Sequence, residues 1–119
     1  MVVAVTILAA LLFVGMGVYG LVAPRQLVAP FDISLGSVTS RAEVRAVYGG
    51  FGVAIAAILM VSLTSPELRT GILLTVAAAL AGMAFGRVVS ALDGRTSFYP
   101  NWFYFLAESV TAAALFAVA

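Results

Sequence analysis

Two ionisable side chains, Arg87 and Glu108, interrupt long apolar segments, and a second pair, Glu43 and Arg45, stands at the entrance to another. In a bilayer each such group needs an opposite charge, a polar cavity or a route to the interface. Arginine carries a planar fork of donors that matches a carboxylate or another acid, and a carboxylate can neutralise that fork or exchange a proton. Tyr48, close behind Arg45, adds a hydroxyl able to donate a directional hydrogen bond. Spacing extends the set, because Asn101, Tyr104, Glu108 and Thr111 are separated by three, four and three residues and so share one helix face. Arg41, Arg45 and Tyr48 form a second such face with Gly52 below them, while Glu43 points elsewhere and can cap its helix.

Two chemistries fit these residues. In the first, the chain binds or transports a small amphipathic or acidic ligand. Arg45 and Arg87 orient the acid, Glu108 tunes the charge or relays a proton, and Tyr48 supplies a hydrogen bond; Arg41, Tyr99, Asn101, Trp102 and Tyr104 stand at the entrance. In the second, Arg45 or Arg87 pairs with Glu108 in a structural ion-pair network of a non-catalytic accessory or assembly protein. There Tyr99, Trp102 and Tyr104 anchor the interface, and Arg41 and Arg95 snorkel towards water. Glu108 as an acid or base of an intramembrane enzyme ranks third. The chain shows no nucleophile–base constellation, metal-binding set or cofactor motif, so no catalytic residue, metal or cofactor is assigned.

The elements that must position these groups follow from composition. Of 119 residues, 64% are hydrophobic and 9% charged, and mean hydropathy is +1.18, which describes a membrane chain rather than a soluble domain. The formal net charge of +1, with no histidine and no cysteine, gives no nucleic-acid footprint, disulfide or reactive thiol. Membrane lipids are the expected surroundings. The length suits one domain.

Apolar segments at 1–23, 42–63, 70–92 and 101–119 are each long enough to cross about 30 Å of hydrocarbon. The first lacks the positive beginning of a signal peptide and reads as a retained span. Residues 24–41, rich in proline, glycine and short polar side chains, form a connector, a short interfacial helix or a cap. Ser40 with Glu43 reads as a capping box for the second helix, Pro66 and Asp93-Gly94 as turns, and Pro100 as a first-turn residue of the fourth helix. The expected fold is all-α, a transmembrane four-helix bundle in antiparallel, up-down-up-down order.

That order sets the connections 24–41 and 93–99 on one side and 64–69 on the other, which gathers Arg41, Glu43, Arg45, Arg87 and Glu108 near one membrane face. Glu108 then lies about 10 Å along its helix from Asn101, and Arg87 roughly 8 Å before Leu92. Small residues at Gly15, Gly17, Gly20, Gly49, Gly50 and Gly52 punctuate the first two spans, and Gly82-Met83-Ala84-Phe85-Gly86 has the spacing of a close-packing motif. External small-residue faces would admit further copies or a protein partner.

Glu43-Val44-Arg45-Ala46-Val47-Tyr48-Gly49-Gly50, followed by Gly86-Arg87 and Asp93-Gly94, resembles a bacterial family of small four-helix membrane domains of unknown function. The resemblance covers most of the chain, above all the second to fourth helices. Glu43, Arg45, Tyr48, Gly49, Gly50, Gly86, Arg87 and Glu108 look like its characteristic positions. It implies the four-helix architecture and a bacterial inner membrane, and no established reaction. Positive-inside bias then places the arginine-rich connections in the cytoplasm and both termini outside.

Overall fold

The computed structural model describes residues 1–119, and all its regular elements are helical. Five helices follow in order: α1 (Val2–Val22), α2 (Pro24–Val28), α3 (Val38–Thr64), α4 (Pro66–Leu92) and α5 (Phe98–Val118). All but α2 are long and apolar enough to cross a membrane, at 21, 27, 27 and 21 residues; even the shortest reaches about 31 Å. At most 28% of the most apolar stretch of any of them is buried, and large side chains such as Leu8, Leu11, Phe85 and Phe116 face outward. Such a surface is stable under lipid and costly in water, so the chain is an integral membrane protein.

Two compact units divide the chain, one spanning Thr6–Val61 and the other Met1–Val5 with Ser62–Ala119. In the first, α1 and α3 run antiparallel and cross on glycine. A Cβ on Gly17 would stand 2.7 Å from the Val53 amide nitrogen and 2.8 Å from the Gly49 carbonyl oxygen, and one on Gly52 would stand 2.9 Å from the Gly17 Cα. The two backbones touch here, and dispersion between them replaces side-chain interdigitation. The expected motif at Gly82 and Gly86 is not used in this way, since nothing in the chain lies within 4 Å of a Cβ at either. GxxxG spacing permits close approach; it does not determine which helix face finds a neighbour.

Residues 24–41 contain a short helix. Pro24 occupies the first position of α2, where its missing amide costs nothing, a tight turn over Ala29–Phe31 follows, and Asp32 ends it in the left-handed conformation (φ 60°). Leu27 and Val28 are buried with Val44 of α3, and Met16 and Leu35 pack against them.

Helix α3 starts earlier than residue 42, and a different pair caps it. Ser37 Oγ accepts from the Ser40 amide at 3.0 Å while Ser40 Oγ accepts from the Ser37 amide at 3.1 Å. Glu43 lies one turn too far along to serve as the third helical residue of that box. Ser37→Ala is expected to cost about 1 kcal/mol, read as a lower midpoint of thermal unfolding in detergent; an unchanged midpoint would show that α3 is held by packing alone.

Between Arg45 and Gly50 the helix widens to π winding, with the Phe51 amide donating to the Ala46 carbonyl. Gly49 lies against α1 here, where a Cβ would come within 2.8 Å of Leu21. The winding here departs from the ideal α-helical spacing that assigns Tyr48 to the face of Arg45.

In the second unit, α4 begins at Pro66, four residues ahead of Thr70, because Pro66 is a helix-starting residue rather than a helix-ending one. Arg69, one turn in, donates from Nε to the Ser62 carbonyl (2.9 Å) and from Nη2 to the Leu63 carbonyl (3.2 Å). It thus satisfies carbonyls that the end of α3 leaves open, with its charge at the negative end of that helix. Leu73, Val76, Ala77, Leu80 and Ala84 form the buried face of α4, and Glu108, Ala112 and Leu115 that of α5.

The two helices pack as an antiparallel hairpin. The chain tightens over Ser90–Leu92, the Asp93 and Gly94 amides both donate to the Ser90 carbonyl, and Tyr99 is extended (φ −98°, ψ 131°). Helical winding of α5 therefore starts at Pro100, as its sequence position leads one to expect.

Candidate functional site

The α4–α5 hairpin holds a polar cluster. Arg87 comes from the last turns of α4, where the exposed carbonyl end of the helix favours a cation. Asn101, Tyr104 and Glu108 come from α5, and their three- and four-residue spacing turns them to one side. Arg87 reaches all three.

Its Nε donates to Glu108 Oε1 at 2.7 Å and its Nη2 to Glu108 Oε2 at 2.9 Å. Both carboxylate oxygens are thus met by the fork of one guanidinium, the strongest form of this pairing. A longer bond of 3.4 Å runs from Nη1 to Asn101 Oδ1, and Arg87 Cζ lies 5.5 Å from the centroid of the Tyr104 ring, close enough for the ring's negative face to attract it. Asn101 is itself oriented by Nδ2 donating to Thr96 Oγ1 at 3.1 Å.

Burial makes the pair consequential. The side chain of Glu108 is 7% exposed and that of Arg87 20%. Charges with so little water lose hydration worth several kcal/mol each, and mutual attraction compensates only when the geometry is good and the other donors are satisfied. Two short parallel bonds, an amide and a ring meet that condition.

Aromatic rings border the polar end of α5. Trp102 and Phe105 meet edge to face at 5.4 Å, Phe103 and Tyr104 likewise at 5.4 Å, and Tyr99 lies 5.6 Å from Phe103 and 6.3 Å from Tyr104. Tyr99 is largely exposed and Trp102 half-buried, a position that suits amphipathic rings at a headgroup layer.

A family model matches the chain over residues 2–119. The chain belongs to the family of the domain of unknown function DUF4345. The resemblance carried by Glu43–Gly50, Gly86-Arg87 and Asp93-Gly94 is therefore a membership, and the DUF4345 match spans all four long helices. No curated protein matches this chain, and no solved structure does.

In this DUF4345 chain the remaining sequence candidates belong to the Thr6–Val61 unit. Arg45 donates from Nε to the Leu21 carbonyl at 2.9 Å, which closes the carbonyl end of α1 as Arg69 closes that of α3. Arg41 and Glu43 make no ion pair or hydrogen bond within the chain through their side chains, and Tyr48 is 37% exposed with its hydroxyl unbonded. Two participants were not legible in the DUF4345 sequence. Thr96 sits in the connection before α5 with no periodic relation to Asn101, and the Leu21 carbonyl is backbone, which carries no residue signature.

Proposed function

We propose that this DUF4345 protein is a non-catalytic accessory or assembly component of a membrane, and that Arg87 and Glu108 form its internal clamp. The observation that supports this reading is the double bond between them: both oxygens of Glu108 accept from Arg87. Each charge neutralises the other, and the hairpin gains a fixed depth and rotation for α4 against α5. An acidic ligand at Arg87 would have to displace a carboxylate already held in bidentate geometry, at the cost of leaving Glu108 buried and unpaired.

The competing reading keeps Arg87 as a ligand group, with Arg45 orienting an acid and Glu108 tuning its charge. Its support is the one-fifth of the Arg87 side-chain surface that stays exposed. Nuclear magnetic resonance on protein labelled at the arginine Nε separates the two. In the clamp reading the Arg87 Nε–H signal holds its position and its slow exchange as decanoate, an amphipathic acid, is titrated into the micelle. A saturable shift of that signal, absent with the uncharged decanol, would replace the clamp with ligand recognition.

A further inference from the structure

Three arginines with uncommitted donors lie on the Thr6–Val61 unit. Arg45 uses Nε on the Leu21 carbonyl, and its two terminal nitrogens have no partner in the chain. The end-on edge of the guanidinium, formed by Nη1 and Nη2, is therefore open for a bidentate acceptor while the side edge pins the group in place. Arg41 stands one turn before it on the same face of α3, since the winding between them is α-helical. Arg25 is exposed on α2 and likewise unpaired.

The elements that carry these three are packed against one another. Arg45 is level with the last turn of α1 through its bond to Leu21, and its neighbour Val44 is buried with Leu27 and Val28 of α2, the helix that carries Arg25. The burial of Pro24, Leu27 and Val28 turns Arg25 and Gln26 outward. The two acidic groups on these elements do not neutralise the three arginines. Glu43 is two positions from both Arg41 and Arg45, on a different side of α3, and Asp32 forms no ion pair.

Depth specifies the ligand. Because α1 crosses the bilayer and ends at Val22, a guanidinium held on the Leu21 carbonyl sits where the hydrocarbon gives way to headgroups. The groups present there in quantity that match an arginine fork are phosphates. We propose that Arg25, Arg41 and Arg45 form a binding site for the phosphate of an anionic phospholipid headgroup, with Arg45 as the preset bidentate contact. This site does not depend on the clamp, because none of its residues belongs to the α4–α5 hairpin.

The test uses the full chain in nanodiscs of phosphatidylcholine doped with phosphatidylglycerol, with native mass spectrometry reading which lipids stay bound. Wild type is expected to retain phosphatidylglycerol over phosphatidylcholine, and each of Arg25→Gln, Arg41→Gln and Arg45→Gln to lower that preference by about fivefold at low salt. Arg95→Gln, outside this unit, leaves it unchanged. The side chains of Arg25 and Arg41 make no bond inside the chain, so their variants test the site even if Arg45→Gln disturbs α1.

An added arm of inorganic phosphate identifies the source of the group. Retention that survives it assigns a lipid headgroup; displacement assigns a site for free phosphate and overturns the lipid proposal. Equal retention of the two lipids by wild type, or a preference indifferent to all three substitutions, also overturns it.

Discussion

Arg87→Met and Glu108→Met, made singly, are each expected to destabilise the protein by about 3–5 kcal/mol, and the double variant to recover most of that loss. The asymmetry follows from burial. Removing Arg87 leaves a carboxylate that is 7% exposed without the two bonds that met its oxygens, so the group must either stay charged without compensation or take up a proton. Removing Glu108 leaves the guanidinium the long bond to Asn101 and the ring of Tyr104 on α5, neither of which neutralises it. Replacing both by methionine removes both desolvation penalties and retains an unbranched apolar side chain on each helix. Unfolding followed by circular dichroism as sodium dodecyl sulfate is added to mild-detergent micelles gives the three free energies. A coupling of roughly 3 kcal/mol between the two sites is expected; strictly additive losses would show that the bond contributes nothing to the hairpin.

The second large effect concerns the α1–α3 crossing. Gly17→Ala is expected to lose about 1–3 kcal/mol, and Gly17→Leu more, because the added Cβ meets atoms that cannot rotate away. Its nearest neighbours are the Val53 amide nitrogen at 2.7 Å and the Gly49 carbonyl oxygen at 2.8 Å, so the two helices must separate along the whole contact. Gly52→Ala meets the Gly17 Cα and the Phe13 carbonyl, both at 2.9 Å, and belongs with it. Gly82→Ala and Gly86→Ala, with nothing of the chain within 4 Å, should stay within about 0.5 kcal/mol of wild type. The same unfolding measurement ranks the four. Equal losses at Gly17 and Gly82 would mean that the glycines act through backbone flexibility rather than through contact.

These two predictions rest on features of different legibility. The face formed by Asn101, Tyr104 and Glu108 could be read from spacing, because a helix converts separations of three and four into a common direction whatever lies around it. That Arg87 meets all three depends on the length of the 93–97 connection and on how far α4 extends before it. The glycines illustrate the opposite case. Gly82-xxx-Gly86 has the better motif, yet Gly17 and Gly52, on separate helices, make the contact. Two helices start a few residues ahead of the boundaries expected from the sequence: Ser37 finds Ser40 as its reciprocal capping partner, and Pro66 takes the first helical position.

By itself, then, the sequence determined that the protein is helical and crosses a membrane in four long segments, and which side chains share a face within each. Those properties follow from runs of apolar residues and from the pitch of a single helix, and they need no neighbour. Tertiary structure alone decided that Arg87 is the arginine bound to Glu108, that Arg45 closes the end of α1 through the Leu21 carbonyl, and that Gly17 and Gly52 carry the crossing. Each is a choice between partners on different helices. It turns on relative rotation and depth, set by close packing of whole helix surfaces, which no spacing along one segment records.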